Sequence, residues 1–438
     1  MSVDAEENGP VYSDRMSGQH VAPIMAAQRI ATLDIVRAIA LLGIVIANVN
    51  AFAQPALAYY WPPALLEAGP GRGNNGDAWF WLAQFALVDG KARALFAMLF
   101  GAGLVLFAER AAQNAGAGAA PELRQVRRLI WLAAFGLLHF YLLFEGDILF
   151  SYATAGFVAL AMLGMPGRSL LVMGLAWAVA GALLRISDFA PAALAEAGGG
   201  LDAGGPQIEP LRIWWRGQLA DAALQAQVFS QGSYADVLAW RWTEESGRLV
   251  WAVVLNFYET IPLIMIGMGL YKMGLFSGAL AGRRAIVLAW VGVALGLALN
   301  LAAGWHVMRG GFQPFATQLS FFGLSMLFNL PFVTGAMVLL ARWAAEVQDG
   351  WLSDRLAAMG RMAFTNYIGT SLVLMLVFNG WAGGLFGTLD RVEMIPVIAL
   401  VWAMMLTGSR LWLGRYAQGP LEWLWRCLTY WRVLPLRR

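Results

Sequence analysis

At 438 residues, 59% hydrophobic and 13% charged, with a mean hydropathy of +0.60, the chain holds more apolar surface than a soluble core absorbs, since single cores stop growing near about 250–300 residues. The surplus must face lipid, and a formal charge of +3 without a basic aromatic stripe argues against nucleic acid as a partner. The single cysteine, Cys427, excludes an intramolecular disulfide framework and argues against a Cys-rich metal site.

Residues 1–28 are polar and Gly/Ala-rich with no basic-then-apolar leader, and are expected to form a disordered cytoplasmic tail. Apolar runs long enough to cross a bilayer as helices follow at about 33–53, 90–109, 129–145, 147–165, 169–186, 248–272, 285–305, 317–341, 361–380 and 393–414. The short alternating strands of a barrel are missing, so the predicted fold class is all-α: a polytopic membrane helical bundle of about ten transmembrane helices. An apolar piece near 78–88 precedes the second run, separated from it by Asp89-Gly90-Lys91, and is read as dipping into the membrane or lying on it. The expected organisation is a membrane half at 29–186, a periplasmic loop at 187–247, a second half at 248–414 and a cytoplasmic amphipathic tail at 415–438. The loop starts with a flexible Gly/Ala stretch, Ala197 to Gly205, and its Trp214-Trp215 and Trp240-Arg241-Trp242 read as interfacial helices. With both termini cytoplasmic, eighteen Lys and Arg fall in inner segments and four in short outer loops, the positive-inside asymmetry.

Ionisable groups within apolar runs cost several kcal/mol, so each asks for a reason. Asp34 and Arg37 share a helix face: a local ion pair, or an arginine turned to a ligand phosphate. Asn48 lies near the far end of that run, with interhelical hydrogen bonding as its plain reading. Asp89, Lys91 and Arg93 flank the Gly90 break, where free backbone donors suit a polar site, while snorkelling is the plain reading of the two cations. Arg124, Arg127 and Arg128 open the third run; they either set topology or clamp a polyphosphate. His139 lies within that run, eight residues before Asp147, with Tyr152 just beyond. An imidazole oriented by a carboxylate is the usual general base, and interhelical bonding is its plain alternative. Glu259 is a carboxylate inside the sixth run with no partner visible in the sequence, its plain reading a structural pair.

The motifs Leu33-Asp34-Ile35-Val36-Arg37 with Asn48, Asp89-Gly90-Lys91, Leu99-Phe100-Gly101-Ala102-Gly103 and Gly136-Leu137-Leu138-His139 occur in order along the chain. They are followed by Gly146-Asp147-Ile148-Leu149 with Tyr152, Gly360-Arg361-Met362-Ala363 with Thr365-Asn366-Tyr367, and Gly419-Pro420-Leu421-Glu422. This series, from about residue 30 to 430, resembles the YeiB-like bacterial membrane family, domain of unknown function 418. Ala38 and Ala92 stand where the family usually has Gly and Phe. The first motif also resembles that of transmembrane acyltransferases such as heparan-α-glucosaminide N-acetyltransferase, which implies an acyl-CoA donor, a catalytic histidine and basic residues at the CoA end. No histidine lies near the first run, so His139 alone fills that role.

The resulting expectation is an enzyme of the bacterial inner membrane that moves an acyl group from acyl-CoA to a periplasmic or lipid-linked acceptor. His139 is the base and Asp147 its orienter; Arg37, Arg124, Arg127 and Arg128 hold the CoA phosphates. Asn48 or Lys91 stabilises the oxyanion, with Asp89, Tyr152 and Glu259 as further substrate-side groups. Acyl-CoA is a cosubstrate, no tightly bound cofactor is expected, and the partners are lipids and a small-molecule, glycan or lipid acceptor, with homo-oligomerisation left open. The alternatives are a transporter of an amphiphilic solute, proton-coupled through His139, Asp147 and Glu259, and a non-catalytic membrane scaffold.

Overall fold

The computed structural model describes residues 26–63, 75–113, 121–201, 206–347 and 350–437. Residues 1–25 of the expected tail and 202–205 of the Gly/Ala stretch lie outside the described residues. The described residues form helices without a strand, in the order α1 (Ala26–Ala53), α2 (Ala56–Tyr60), α3 (Asn75–Leu87), α4 (Lys91–Gln113), α5 (Pro121–Leu142), α6 (Leu149–Leu160) and α7 (Gly167–Ala197). They continue as α8 (Ile208–Gln231), α9 (Tyr234–Thr243), α10 (Gly247–Leu255), α11 (Ile261–Lys272), α12 (Arg283–Arg309), α13 (Pro314–Gln318) and α14 (Ser325–Glu346). The chain closes with α15 (Trp351–Arg361), α16 (Ala363–Phe378), α17 (Ile395–Arg415) and α18 (Pro420–Tyr430).

Among the described residues, seven helical runs are long and apolar enough to cross a membrane, and eight if α15 and α16, bent by 84°, form one span. The protein is therefore a multi-pass membrane protein. Helices α5 and α6 fall outside that set. Gln125, Arg127, Arg128 and His139 depress the hydropathy of α5, and α6 has only 12 residues. The apolar piece before Asp89 is α3, which joins α4 in one run, Gly76–Gln113, turned at Gly90 with φ +74°. The left-handed backbone favours glycine there, and a Cβ would also press on the Asn329 amide.

The core is built on α11, whose residues Ile261 to Tyr271 are all buried, packed between α4 and α7. Small residues permit this approach: a Cβ on Gly267 would overlap the Met98 carbonyl, and one on Gly101 the Ile264 carbonyl. Because lipid tails are as apolar as the helices, close van der Waals packing is what drives helices together. Gly360 plays the same part where α15 crosses α1 at the Asp34 carbonyl. Between α10 and α11 the chain makes a π-helical turn, Asn256–Thr260. The wide turn directs Asn256 to Ser151 and Thr154 of α6, the amide donating to Thr154 Oγ1 at 2.9 Å.

The 187–247 segment is helical for most of its length. α7 runs on to Ala197, and α8 and α9 fold back onto one end of the bundle. Trp215 is buried against Trp61, their ring centroids 4.7 Å apart, whereas Trp242 is exposed beside Tyr141. Arg241, 1% exposed, donates to the Leu142 and Leu143 carbonyls at 3.1 and 2.8 Å and pairs with Glu145 at 3.4 Å. It thereby satisfies carbonyls that the end of α5 leaves without helical partners.

Candidate functional site

Three cavities lie along one face of α4. Ala92 and Arg93 line the first, about 680 Å³. Phe96, Leu99, Phe100 and Gly103 line the second, about 200 Å³, and Phe107, Arg110 and Ala111 the third, about 540 Å³. These positions recur every three or four residues, the repeat of a single helix face. From Arg93 to Arg110 the face extends about 26 Å at 1.5 Å per residue, close to the about 30 Å of a hydrocarbon core.

The first cavity, at the end bearing α8 and α9, is rich in carboxylates: Glu145, Asp221, Glu244 and Glu245, with Arg93 and Arg248. Burial lifts the Glu245 carboxyl above its ordinary value despite Arg248 beside it. Asn48 lines this cavity. The third cavity, at the opposite end, is basic: Arg110, Arg124, Arg128 and Arg426, with Glu422 as the one carboxylate among its described lining residues. The second adjoins it through Arg128, Glu422 and Trp425, and adds Arg37, Arg361, Tyr152 and Tyr367.

The carboxylate at this end is already committed. Glu422 Oε1 accepts from the Phe364 and Thr365 N–H groups at 2.8 and 3.0 Å, and Oε2 accepts from the Thr365 hydroxyl at 2.5 Å. It thus closes the first turn of α16 after the bend, where donors are free and the helix dipole favours a negative group. Burial pushes its carboxyl up, and the Thr365 donors act the other way. The Gly419-Pro420-Leu421-Glu422 and Ala363-Phe364-Thr365 motifs therefore meet in one cap. The expected amphipathic tail is α18, seated against α5 and α16. Trp425 Nε1 donates to the Arg128 carbonyl at 2.9 Å, and the Arg128 guanidinium lies 4.7 Å from the Trp425 ring centre.

His139 occupies the layer between the first two cavities. Its Nδ1 lies 2.7 Å from Asp147 Oδ1 and its Nε2 2.9 Å from Ser371 Oγ. Asp147 Oδ2 accepts from Phe150 N at 2.7 Å. The Tyr367 ring packs on the imidazole at 4.9 Å, and its hydroxyl accepts from Ile148 N at 3.3 Å. Tyr367 lines the second cavity and Ile148 the first, so one layer of side chains separates them here. Tyr152 crosses the same layer, donating to the Arg93 carbonyl at 2.9 Å.

The residues singled out in the sequence fall into distinct groups. Arg37, Arg124 and Arg128 face the basic cavities, Arg37 also pairing with Asp34 at 2.5 Å. Arg127 turns to Trp431, 5.9 Å from its ring centre, and lines none of the cavities described. Lys91 is 1% exposed and donates to the Phe85 and Asp89 carbonyls at 2.8 and 3.3 Å, securing the turn at Gly90. Asp89 accepts from Gln84 at 2.9 Å and Tyr59 at 3.1 Å in the buried packing behind the first cavity. Glu259 does have a partner, Arg93 at 2.5 Å. Arg93 turns inward to this carboxylate rather than outward to an interface.

Three groups were not legible beforehand. Ser371 is a hydroxyl on an apolar helix, and only its place one turn beyond the Thr365-Asn366-Tyr367 motif hinted at a role. Arg391 reads as a loop cation, yet it is 0% exposed and donates to the Ala58 and Tyr59 carbonyls at 2.5 and 3.1 Å. The Arg241–Glu145 pair joins residues 96 apart, with no local signature.

These features define a multi-pass helical membrane protein with a buried His–Asp pair in the partition between a carboxylate-rich and an arginine-rich cavity. Residues 270–432 match the family model described as "Protein of unknown function (DUF418)". The chain is 27% identical over 434 residues to the "Uncharacterized protein YxaH" of Bacillus subtilis (strain 168), covering 95% of this chain and 98% of that one. It is 28% identical over 422 residues to the "Uncharacterized protein YeiB" of Escherichia coli (strain K12), covering 92% and 96%. A third relative, an uncharacterized 39.9 kDa protein from Bacillus acidopullulyticus, is 26% identical over 418 residues, covering 94% and 97%. The family-model match and these near-full-length relatives support a YeiB-like DUF418 family. No solved structure matches it.

Proposed function

We propose that the protein is a membrane-embedded acyltransferase that takes an acyl group from acyl-CoA at its basic end and delivers it to an acceptor at its acidic end. One observation carries this reading: a single face of α4 passes through all three cavities, and His139–Asp147 lies in the layer that divides the acidic first cavity from the adjoining second and third. In this reading Arg124 and Arg128, with Arg37, hold the CoA phosphates, since guanidiniums match phosphate geometry. The pantetheine arm rises along Gly103, Phe100 and Phe96, and His139, its tautomer set by Asp147, removes the acceptor proton. Asn48 attends the acceptor side, whereas Lys91 is occupied in holding the Gly90 turn.

The reading takes the basic end as cytoplasmic with both termini, in the bacterial inner membrane. It counts about ten crossings, with α5 and the short α6 completing the set. The alternative reading, a transporter of an amphiphilic solute, is favoured by the 84° bend between α15 and α16, because discontinuous helices line many transport sites. Vesicles loaded with labelled acyl-CoA distinguish the two. Transfer predicts free CoA release, lowered per folded molecule about 10²–10⁴-fold by His139→Ala, the range of a lost general base; Asp147→Asn loses less. Solute flux without CoA release refutes the enzyme.

A further inference from the structure

We infer that Ser371 carries the acyl group through the partition as a transient ester on its Oγ. This deepens the acyltransferase reading and rests on it.

Asp147 Oδ1 lies 2.7 Å from His139 Nδ1, and an ionised carboxylate only accepts, so Nδ1 bears the hydrogen. Nε2 is then a bare lone pair, and the Ser371 hydroxyl lies 2.9 Å from it. A serine inside a helix ordinarily returns its proton to the carbonyl four residues back. Ser371 has that choice in the Tyr367 carbonyl at 3.3 Å, yet the imidazole is closer. Hydroxyl, imidazole and carboxylate thus stand in the order by which a base strips a serine proton.

The array is also rigid and dry. Asp147 is held at its second oxygen by Phe150 N, the His139 and Asp147 side chains are 0% and 1% exposed, and Ser371 is 1% exposed. An ester formed there is kept from water, which a transfer enzyme must do to avoid hydrolysis. Access runs through Tyr367, one turn earlier on α16. Its ring borders the second cavity, and its hydroxyl is tethered by the Ile148 N–H at 3.3 Å. Rotation of that ring opens the serine to the donor side, and displacement of Ile148 opens it to the acceptor side.

The chemistry closes on itself. Ser371 Oγ attacks the thioester carbonyl as His139 Nε2 takes its proton; the C–O bond forms, the C–S bond breaks, and the thiolate leaves with that proton as CoA. An acceptor hydroxyl or amine then gives its proton to Nε2 and attacks the ester. Ser371 departs and recovers the proton, so nothing is oxidised or reduced.

The test uses the purified full-length protein with two probes, an alkyl fluorophosphonate, which reports an activated serine without any donor, and acetyl-CoA without acceptor. Peptide mass spectrometry should find both adducts on Ser371, with fluorophosphonate labelling slowed about 10²–10⁴-fold in His139→Ala and absent in Ser371→Ala. Ser371→Cys, similar in size, should keep the melting temperature and yield a hydroxylamine-labile acetyl adduct. A fluorophosphonate adduct on Ser371 with neither an acetyl adduct nor CoA release would keep the nucleophile and overturn the acyl-CoA donor. Undiminished CoA release by Ser371→Ala would overturn the serine and leave the transferase. Absence of any adduct on Ser371 in the wild type overturns the inference.

Discussion

The three arginines at the start of α5 give the sharpest test of the basic cavity, because the structure divides them. Arg124 and Arg128 line it, while Arg127 points away to Trp431. A hydrogen bond to a charged group contributes about 1.5–3 kcal/mol, and about 1.4 kcal/mol is tenfold in affinity. Arg124→Gln and Arg128→Gln should each weaken CoA binding about 10- to 150-fold, whereas Arg127→Gln should leave it within about twofold. All three changes remove the same charge from the same helix turn, so Arg127→Gln controls for field and topology. Arg128 also stacks between Trp425 and Phe107, at 4.7 and 5.1 Å from their ring centres, and Arg128→Lys separates charge from stacking. Isothermal titration of the detergent-purified protein with CoA measures the affinities, with melting temperature read on the same samples. Equal losses at all three positions, or none at Arg124 and Arg128 with topology unchanged, would refute the assignment of this cavity to a polyphosphate.

Removing one member of a buried ion pair costs about 3–5 kcal/mol, so Arg241→Met should sharply lower the melting temperature, and adding Glu145→Gln should recover part of the loss. An unchanged melting temperature would show that Arg241 does not hold the end of α5. Glu422 should confer a pH dependence. Burial raises its folded value above the ordinary 4.5, so its stabilising contribution is present below that value and is lost as pH rises through the raised one. The melting temperature should therefore fall over that window in the wild type, and Glu422→Gln should flatten the fall. A reporter fused at residue 116 or at the C-terminus should read cytoplasmic and one at residue 203 periplasmic; a cytoplasmic reading at 203 reverses the proposed direction of transfer.

Membrane insertion, the helical class and the positions of most long helices were legible in the sequence, because hydrocarbon thickness sets a minimum apolar length that one segment satisfies alone. The turn at Gly90 was legible too, since Asp89-Gly90-Lys91 interrupts an apolar run with a residue able to adopt φ +74°. The His139–Asp147 pair was foreseeable for a similar reason: one short turn joins α5 to α6, so eight residues of separation return the carboxylate to the imidazole. Charge and spacing gave no comparable hint of what lies across the bundle. Arg124, Arg127 and Arg128 read alike until the docking of α18 leaves two on the cavity and turns one to Trp431. Lys91 and Arg93 both read as snorkelling cations, yet one holds backbone carbonyls and the other meets Glu259. Ser371 reaches His139 from 232 positions away, and Glu422 reaches Thr365 from 57. Such pairings have no local period, since they depend on which helix faces pack together and how closely glycines such as Gly101, Gly267 and Gly360 let the backbones approach. Only the tertiary structure decided them.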